Sequence, residues 1–116
     1  MGHMTSDRQE FQDVVDAASD SLIVVDFFMP NCTYCVKFMP EWNRLVEDLG
    51  TEYGERIKFL KVDGTSDRYT ASRYDVHSFP TFIILEPGTH GETFTTFSSN
   101  TQRNYANMKR WILGFA

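Results

Sequence analysis

Cysteine is scarce in this chain, with two residues among 116. That excludes a scaffold stapled by several disulfides. A zinc site is disfavoured too, because it wants four ligands and only His77 and His90 could join the two thiols, so no metal is expected. Long apolar runs are also missing. The longest, residues 22–29 and 82–85, fall far short of the roughly 18 consecutive apolar residues of a membrane-spanning helix, so no membrane insertion is expected. Basic charge is in deficit, with 11 Lys and Arg against 16 Asp and Glu and a net charge of −5. A surface for nucleic-acid phosphates needs the opposite balance, so no nucleic-acid partner is expected. Internal repeats and low-complexity segments are absent as well. What is present is 41% hydrophobic and 15% aromatic residues, enough for one packed core in a chain too short for two. Met1-Gly2-His3-Met4 reads as an expression-tag remnant, which leaves residues 5–116 as a single expected domain.

Apolar Phe11, Val14, Val15 and Ala18 recur at helical spacing behind Ser6, a residue able to cap a first turn, and predict a helix over residues 7–19. Asp20 and Ser21 break it. Residues 22–28 are β-branched, aromatic and almost continuously apolar, as expected of a central strand covered on both faces; only Asp26 interrupts the run. Cys35, Phe38, Met39, Trp42, Leu45, Val46 and Leu49 then repeat at i, i+3, i+4 and i+7. They predict a long helix that Gly50 ends and Pro40 kinks, because proline cannot bond to the Val36 carbonyl. Residues 57–63 read as a strand, 67–74 as a short helix behind the turn residues Gly64, Thr65 and Ser66, 75–80 as a loop and 81–86 as another strand. Residues 87–91 turn the chain so that 92–97 return as an antiparallel partner. A last helix, 102–115, carries Tyr105, Met108, Trp111, Ile112 and Phe115 along one face. A parallel crossover pair followed by a terminal hairpin predicts an α/β fold, with a mixed sheet of four to five strands between helices. The expected first strand is little more than Met4 and Thr5.

The two cysteines stand as Cys32-Thr33-Tyr34-Cys35, directly after the apolar strand and at the opening of the long helix. A disulfide across this spacing closes so short a loop that it removes little entropy from the unfolded chain and staples poorly. Its use is chemical. At a helix start, free backbone amides and the positive end of the dipole favour a thiolate over a thiol. Such surroundings can lower a cysteine pKa from about 8.5 to between about 3.5 and 7.5, which makes the sulfur a nucleophile at neutral pH.

Three signals coincide in order along the chain: an apolar strand feeding Cys-x-x-Cys at a helix start, an acid inside that strand, and Phe79-Pro80-Thr81 just before a later strand. Together they resemble the thioredoxin superfamily over residues 5–115. Val25-Asp26-Phe27-Phe28 looks like thioredoxin itself. Met39-Pro40-Glu41-Trp42, the Phe79-Pro80 pair and Trp111-Ile112 look more like a catalytic domain of protein disulfide isomerase. The chain departs from both patterns at Asn31, where a tryptophan normally precedes the first cysteine, and at Thr33-Tyr34, which replaces Gly-Pro or Gly-His.

The resemblance implies a thioredoxin fold and a thiol–disulfide oxidoreductase that reduces, forms or shuffles disulfides in protein substrates. Its only cofactor would be its own cysteine pair, recycled by a partner reductase or oxidase, and a monomer is expected. Cys32 would be the exposed attacking thiolate and Cys35 the more buried thiol that resolves the mixed disulfide. Asp26, which from its position alone is either a capping acid or a buried one, would accept the proton of the resolving thiol, its pKa raised by desolvation. Lys61 matches the family lysine that pairs with this acid. Pro80 matches the cis-proline, which brings the Phe79 backbone beside the sulfurs, where it could hold an extended substrate strand. Asn31, Tyr34, Ser78 and Phe79 would shape the docking surface around it. Arg103 stands eight residues before Trp111, the offset of an isomerase arginine that approaches the resolving cysteine, although Gln102 replaces the family glycine beside it. The competing reading is a binding module of the same fold, which holds a client over the Phe79-Pro80 surface while its disulfide stays inert.

Overall fold

The computed structural model describes residues 3–116. Its elements run β1 (His3–Thr5), α1 (Arg8–Ala17), β2 (Leu22–Phe28), α2 (Thr33–Tyr53), β3 (Ile57–Asp63), α3 (Arg68–Arg73), β4 (Thr81–Leu85), β5 (Phe94–Thr96) and α4 (Tyr105–Leu113). The strands form one mixed sheet in the order β1-β3-β2-β4-β5. β2 pairs parallel to β3 and antiparallel to β4, so the strand that carries Asp26 is central, as its near-continuous apolarity requires.

Alternation along the strands sorts side chains into two cores. Leu22 and Val24 of β2, Ile57 and Phe59 of β3, and Phe82 and Ile84 of β4 face Phe38, Trp42, Leu45 and Leu49 of α2 and Met108 and Ile112 of α4. Ile23, Val25 and Phe27, with Leu60, Val62, Ile83 and Leu85, face Phe11 and Val15 of α1 and Ala71 of α3. This parity has a consequence for the site. Asp26 continues the Leu22–Val24 series and Lys61 the Ile57–Phe59 series, so both lie on the α2 side of the sheet, in register with each other.

Several boundaries differ from expectation. Asp7, not Ser6, caps α1, its carboxylate accepting the Glu10 amide at 2.9 Å, while the Ser6 amide donates to the Glu10 side chain. α2 passes through Pro40 and through Gly50, and ends only at Gly54, whose φ of 54° and ψ of −124° lie where a side chain is strained. A single 3-10 turn, Gly54–Arg56, leads from it into β3. Met39, expected on the apolar stripe, is exposed, whereas Phe38, Trp42, Leu45 and Leu49 are buried. β5 is confined to Phe94–Thr96, and α4 starts at Tyr105 behind an Asn104 cap. Phe115 lies beyond α4 and is exposed. β1 begins at His3 and pairs parallel to β3, so two residues of the expected tag remnant belong to the sheet.

Candidate redox site

The site forms where β2 runs out and α2 begins. Asn31 takes a left-handed conformation, φ 64°, which asparagine tolerates better than most residues, and this turns the chain into the helix. Cys32 follows as the N-cap of α2. Its sulfur accepts the Cys35 amide at 3.2 Å, satisfying one of the free donors of the first helical turn. On its other side, Cys32 Sγ lies 3.7 Å from the Phe79 carbonyl oxygen, which can accept its proton. Both cysteines are free thiols. Their exposure reverses the expectation: Cys32 is only 6% exposed, whereas Cys35 is half-buried. The Cys32 sulfur sits between the Cys35 amide and the Phe79 carbonyl, with the Phe79-Pro80 loop laid over it.

Exposure of the residue as a whole is not what sets the chemistry of the Cys35 sulfur. Burial of the thiol pushes its pKa up to about 12, helped by its hydrogen bond with Cys32 and by the negative charges of Cys32 and Asp26; the backbone of Met29 pulls the other way. Cys35 is therefore held as a thiol at neutral pH. Asp26 lies beneath it, 5% exposed. Desolvation raises this carboxyl to about 7, with the Lys61 charge pulling it partly back. One of its oxygens, Oδ1, is buried with no hydrogen-bond partner. Lys61 is in register with Asp26 and its charge acts on that carboxyl, with no contact close enough to count among the described salt bridges; its Nζ stands 4.7 Å from the Phe28 ring centroid. The lysine charge reaches the acid through space.

The surface residues gather around this centre. The Phe79-Pro80 bond is cis, Pro80 is buried and Phe79 half-buried. The Ser78 carbonyl accepts the Thr81 hydroxyl at 2.6 Å, which ties the loop to the start of β4. Tyr34 is 68% exposed, with Lys37 Nζ 5.7 Å from its ring centroid. Arg103 is not among the groups that shift the Cys35 thiol most. It lies in the segment before α4 and lines two shallow grooves, one of about 420 Å³ beside Ser78 and Pro80 and one of about 430 Å³ beside Tyr34 and Glu41. Two contributors escaped the sequence reading. Met29 acts on Cys35 through its backbone, which no side-chain pattern reveals. Gly64, which read only as a turn residue, lies directly against the Phe79 ring.

This geometry, a cysteine pair capping a central helix beside a buried acid and a cis-proline loop, is accompanied by likeness to known proteins. The sequence model of the thioredoxin family matches residues 2–112. Thioredoxin of Bacillus subtilis is 33% identical over 79 residues, covering 68% of this chain and 72% of its own. Protein disulfide-isomerase A4 of Rattus norvegicus is 34% identical over 85 residues, 73% of this chain but 13% of that protein. A mitochondrial thioredoxin domain-containing protein of Schizosaccharomyces pombe is 27% identical over 90% of this chain and 28% of its own length. The chain thus spans less than a third of the latter two. The structure of Fasciola hepatica thioredoxin superposes with a TM-score of 0.79 over 98% of this chain and 99% of that one, at 23% identity, a likeness of fold. The chain belongs to the thioredoxin family. Cys32 and Cys35 supply the cysteine pair that thiol–disulfide exchange requires.

Proposed function

We propose that the chain exchanges disulfides with protein substrates through a mixed disulfide, with Cys32 as the attacking and Cys35 as the resolving sulfur. The Cys32 thiolate attacks one sulfur of a substrate disulfide, forming a Cys32–substrate bond and releasing the other substrate sulfur as a thiolate. Cys35 then gives its proton to Asp26 and attacks the Cys32 sulfur, which forms the Cys32–Cys35 disulfide and expels the second substrate thiolate. Two electrons pass from the pair to the substrate, and the reverse sequence oxidises a dithiol. A partner that reduces or oxidises the pair completes the cycle.

The observation that carries this reading is a half-buried thiol beside a buried acid. Desolvation holds Cys35 as a thiol, so resolving a mixed disulfide calls for a proton acceptor, and desolvation raises Asp26 to about 7, where it can take a proton and pass it on. The assignment of Cys32 as attacker rests on its position as the helix cap, with an amide aimed at its sulfur, and not on exposure. Reduction of insulin disulfides by the parent chain and by Cys32→Ser tests it. The parent should turn over insulin and the variant should not; equal rates would leave the binding module as the working description.

A further inference from the structure

The turn after β3 is tied down on both sides. The Asp63 carboxylate accepts the Thr65 amide at 3.0 Å and hydroxyl at 2.6 Å, and the Ser66 amide at 3.3 Å and hydroxyl at 3.1 Å. Gly64 donates its own amide to the Phe28 carbonyl, at the end of β2, at 2.9 Å. Gly64 is buried, and its backbone is not in the left-handed region, so conformational freedom is not what the position asks for. It asks for space. A Cβ built on Gly64 would overlap Cε1 and Cζ of Phe79, far inside the roughly 3.5–4.0 Å at which carbon atoms rest against each other. The fixed turn cannot yield, so the ring must.

We propose that Gly64 is a positioning residue for the cysteine site: the missing side chain is the seat of the Phe79 ring, and seating the ring holds the Phe79 backbone against Cys32. The chain of contacts is short. Gly64 touches the ring, and the carbonyl of the same residue stands 3.7 Å from Cys32 Sγ. Phe79 is half-buried at the edge of the α1-side core, so the ring can be displaced toward solvent with loss of only part of that packing, and the consequence falls on substrate docking more than on folding.

This inference rests on the disulfide-exchange reading above, and insulin reduction with a double-mutant cycle tests both separately. Gly64→Ala should lower kcat/KM by about tenfold to a hundredfold, mainly through KM, with the thermal unfolding midpoint close to the parent's. Phe79→Ala should show its own loss, because the ring is gone. Adding Gly64→Ala to Phe79→Ala should then cost no more than about twofold, since no ring remains to collide with. Parent-like KM in Gly64→Ala would overturn the proposal. So would a second methyl that slows the Phe79→Ala chain as much as it slows the parent, because Gly64 would then act through the turn backbone. If Gly64→Ala alone does not fold, the double variant decides: it must fold and match Phe79→Ala. A parent chain inert toward insulin would remove the parent reading only. The cycle would then be followed by alkylation of Cys32 with iodoacetamide, whose rate should change in Gly64→Ala and stay constant when that change is added to Phe79→Ala.

Discussion

At the scale of single residues, the two thiols differ by what surrounds each sulfur, and one pair of measurements separates them. Cys32 Sγ has a helix-terminal amide aimed at it, while the Cys35 thiol is kept protonated by burial. After reduction, a small alkylating agent near neutral pH should label Cys32 first, with Cys35 lagging well behind, as peptide mass mapping over time would record. Cys35→Ser should accumulate a Cys32–substrate disulfide, because no second thiol remains to displace it. Trapping in Cys32→Ser instead would reverse the roles. The residues that announced themselves in the sequence, Cys32, Cys35, Asp26 and Pro80, do so because their chemistry resides in the side chain or ring. Met29 and Gly64 stayed silent, because one works through a backbone group and the other through empty volume. The burial of Cys32 has a related reason: its sulfur meets the Phe79 carbonyl, 47 residues away along the chain, a contact that no local pattern announces.

At the scale of elements, the periodic patterns located every helix and strand longer than three residues, and the errors fell at the ends. α2 illustrates why. Gly50 was expected to stop it, since a mid-helix glycine costs about 1 kcal/mol against alanine. Leu49, fully buried in the α2–α4 core, and Tyr53, packed against that core, offset the cost and carry the helix another turn. The stop is Gly54, where the backbone requires a conformation that glycine alone adopts freely. Gly54→Ala should therefore destabilise the fold by roughly 1–3 kcal/mol, whereas Gly50→Ala, with open space around its Cα, should be neutral or stabilising. Denaturant midpoints of the two variants, with unchanged slopes, would check the contrast. An equal effect at both positions would mean that the helix end is set by packing and not by the glycine. The short β5 has a different origin: the ladder register with β4 is confined to Phe94–Thr96, while single backbone bonds, Phe97 N–H to the Phe82 carbonyl at 2.8 Å and Glu86 N–H to the Thr93 carbonyl at 3.0 Å, continue the pairing on either side.

At the scale of the whole molecule, the fold places an acid where folding must work against its charge. Sheet parity puts Asp26 on the α2 side, and the cores on both faces remove it from water, so ionising it in the folded protein costs free energy that the unfolded chain does not incur. The folded value near 7 lies above the unfolded value of about 3.9. Between these two values the folded state binds more protons than the unfolded one, so stability falls as pH rises through the window. The contribution is fully present below about pH 4, is lost progressively toward pH 7, and is constant above. Its size is on the order of 3–4 kcal/mol. Asp26→Asn cannot ionise, so the difference in unfolding free energy between variant and parent should swing in the variant's favour by that order from pH 4 to pH 8. Taking the difference cancels the other carboxylates that titrate in both chains. Disulfide exchange at neutral pH should nevertheless slow, because the Cys35 proton has lost its acceptor and the mixed disulfide waits for solvent to remove it. Urea unfolding of both chains across this range, with insulin reduction alongside, joins the two effects in one experiment. A flat stability difference with parent-like turnover would withdraw Asp26 from the mechanism, while a stability swing with unchanged turnover would leave it a buried acid whose cost must be explained by something other than proton transfer.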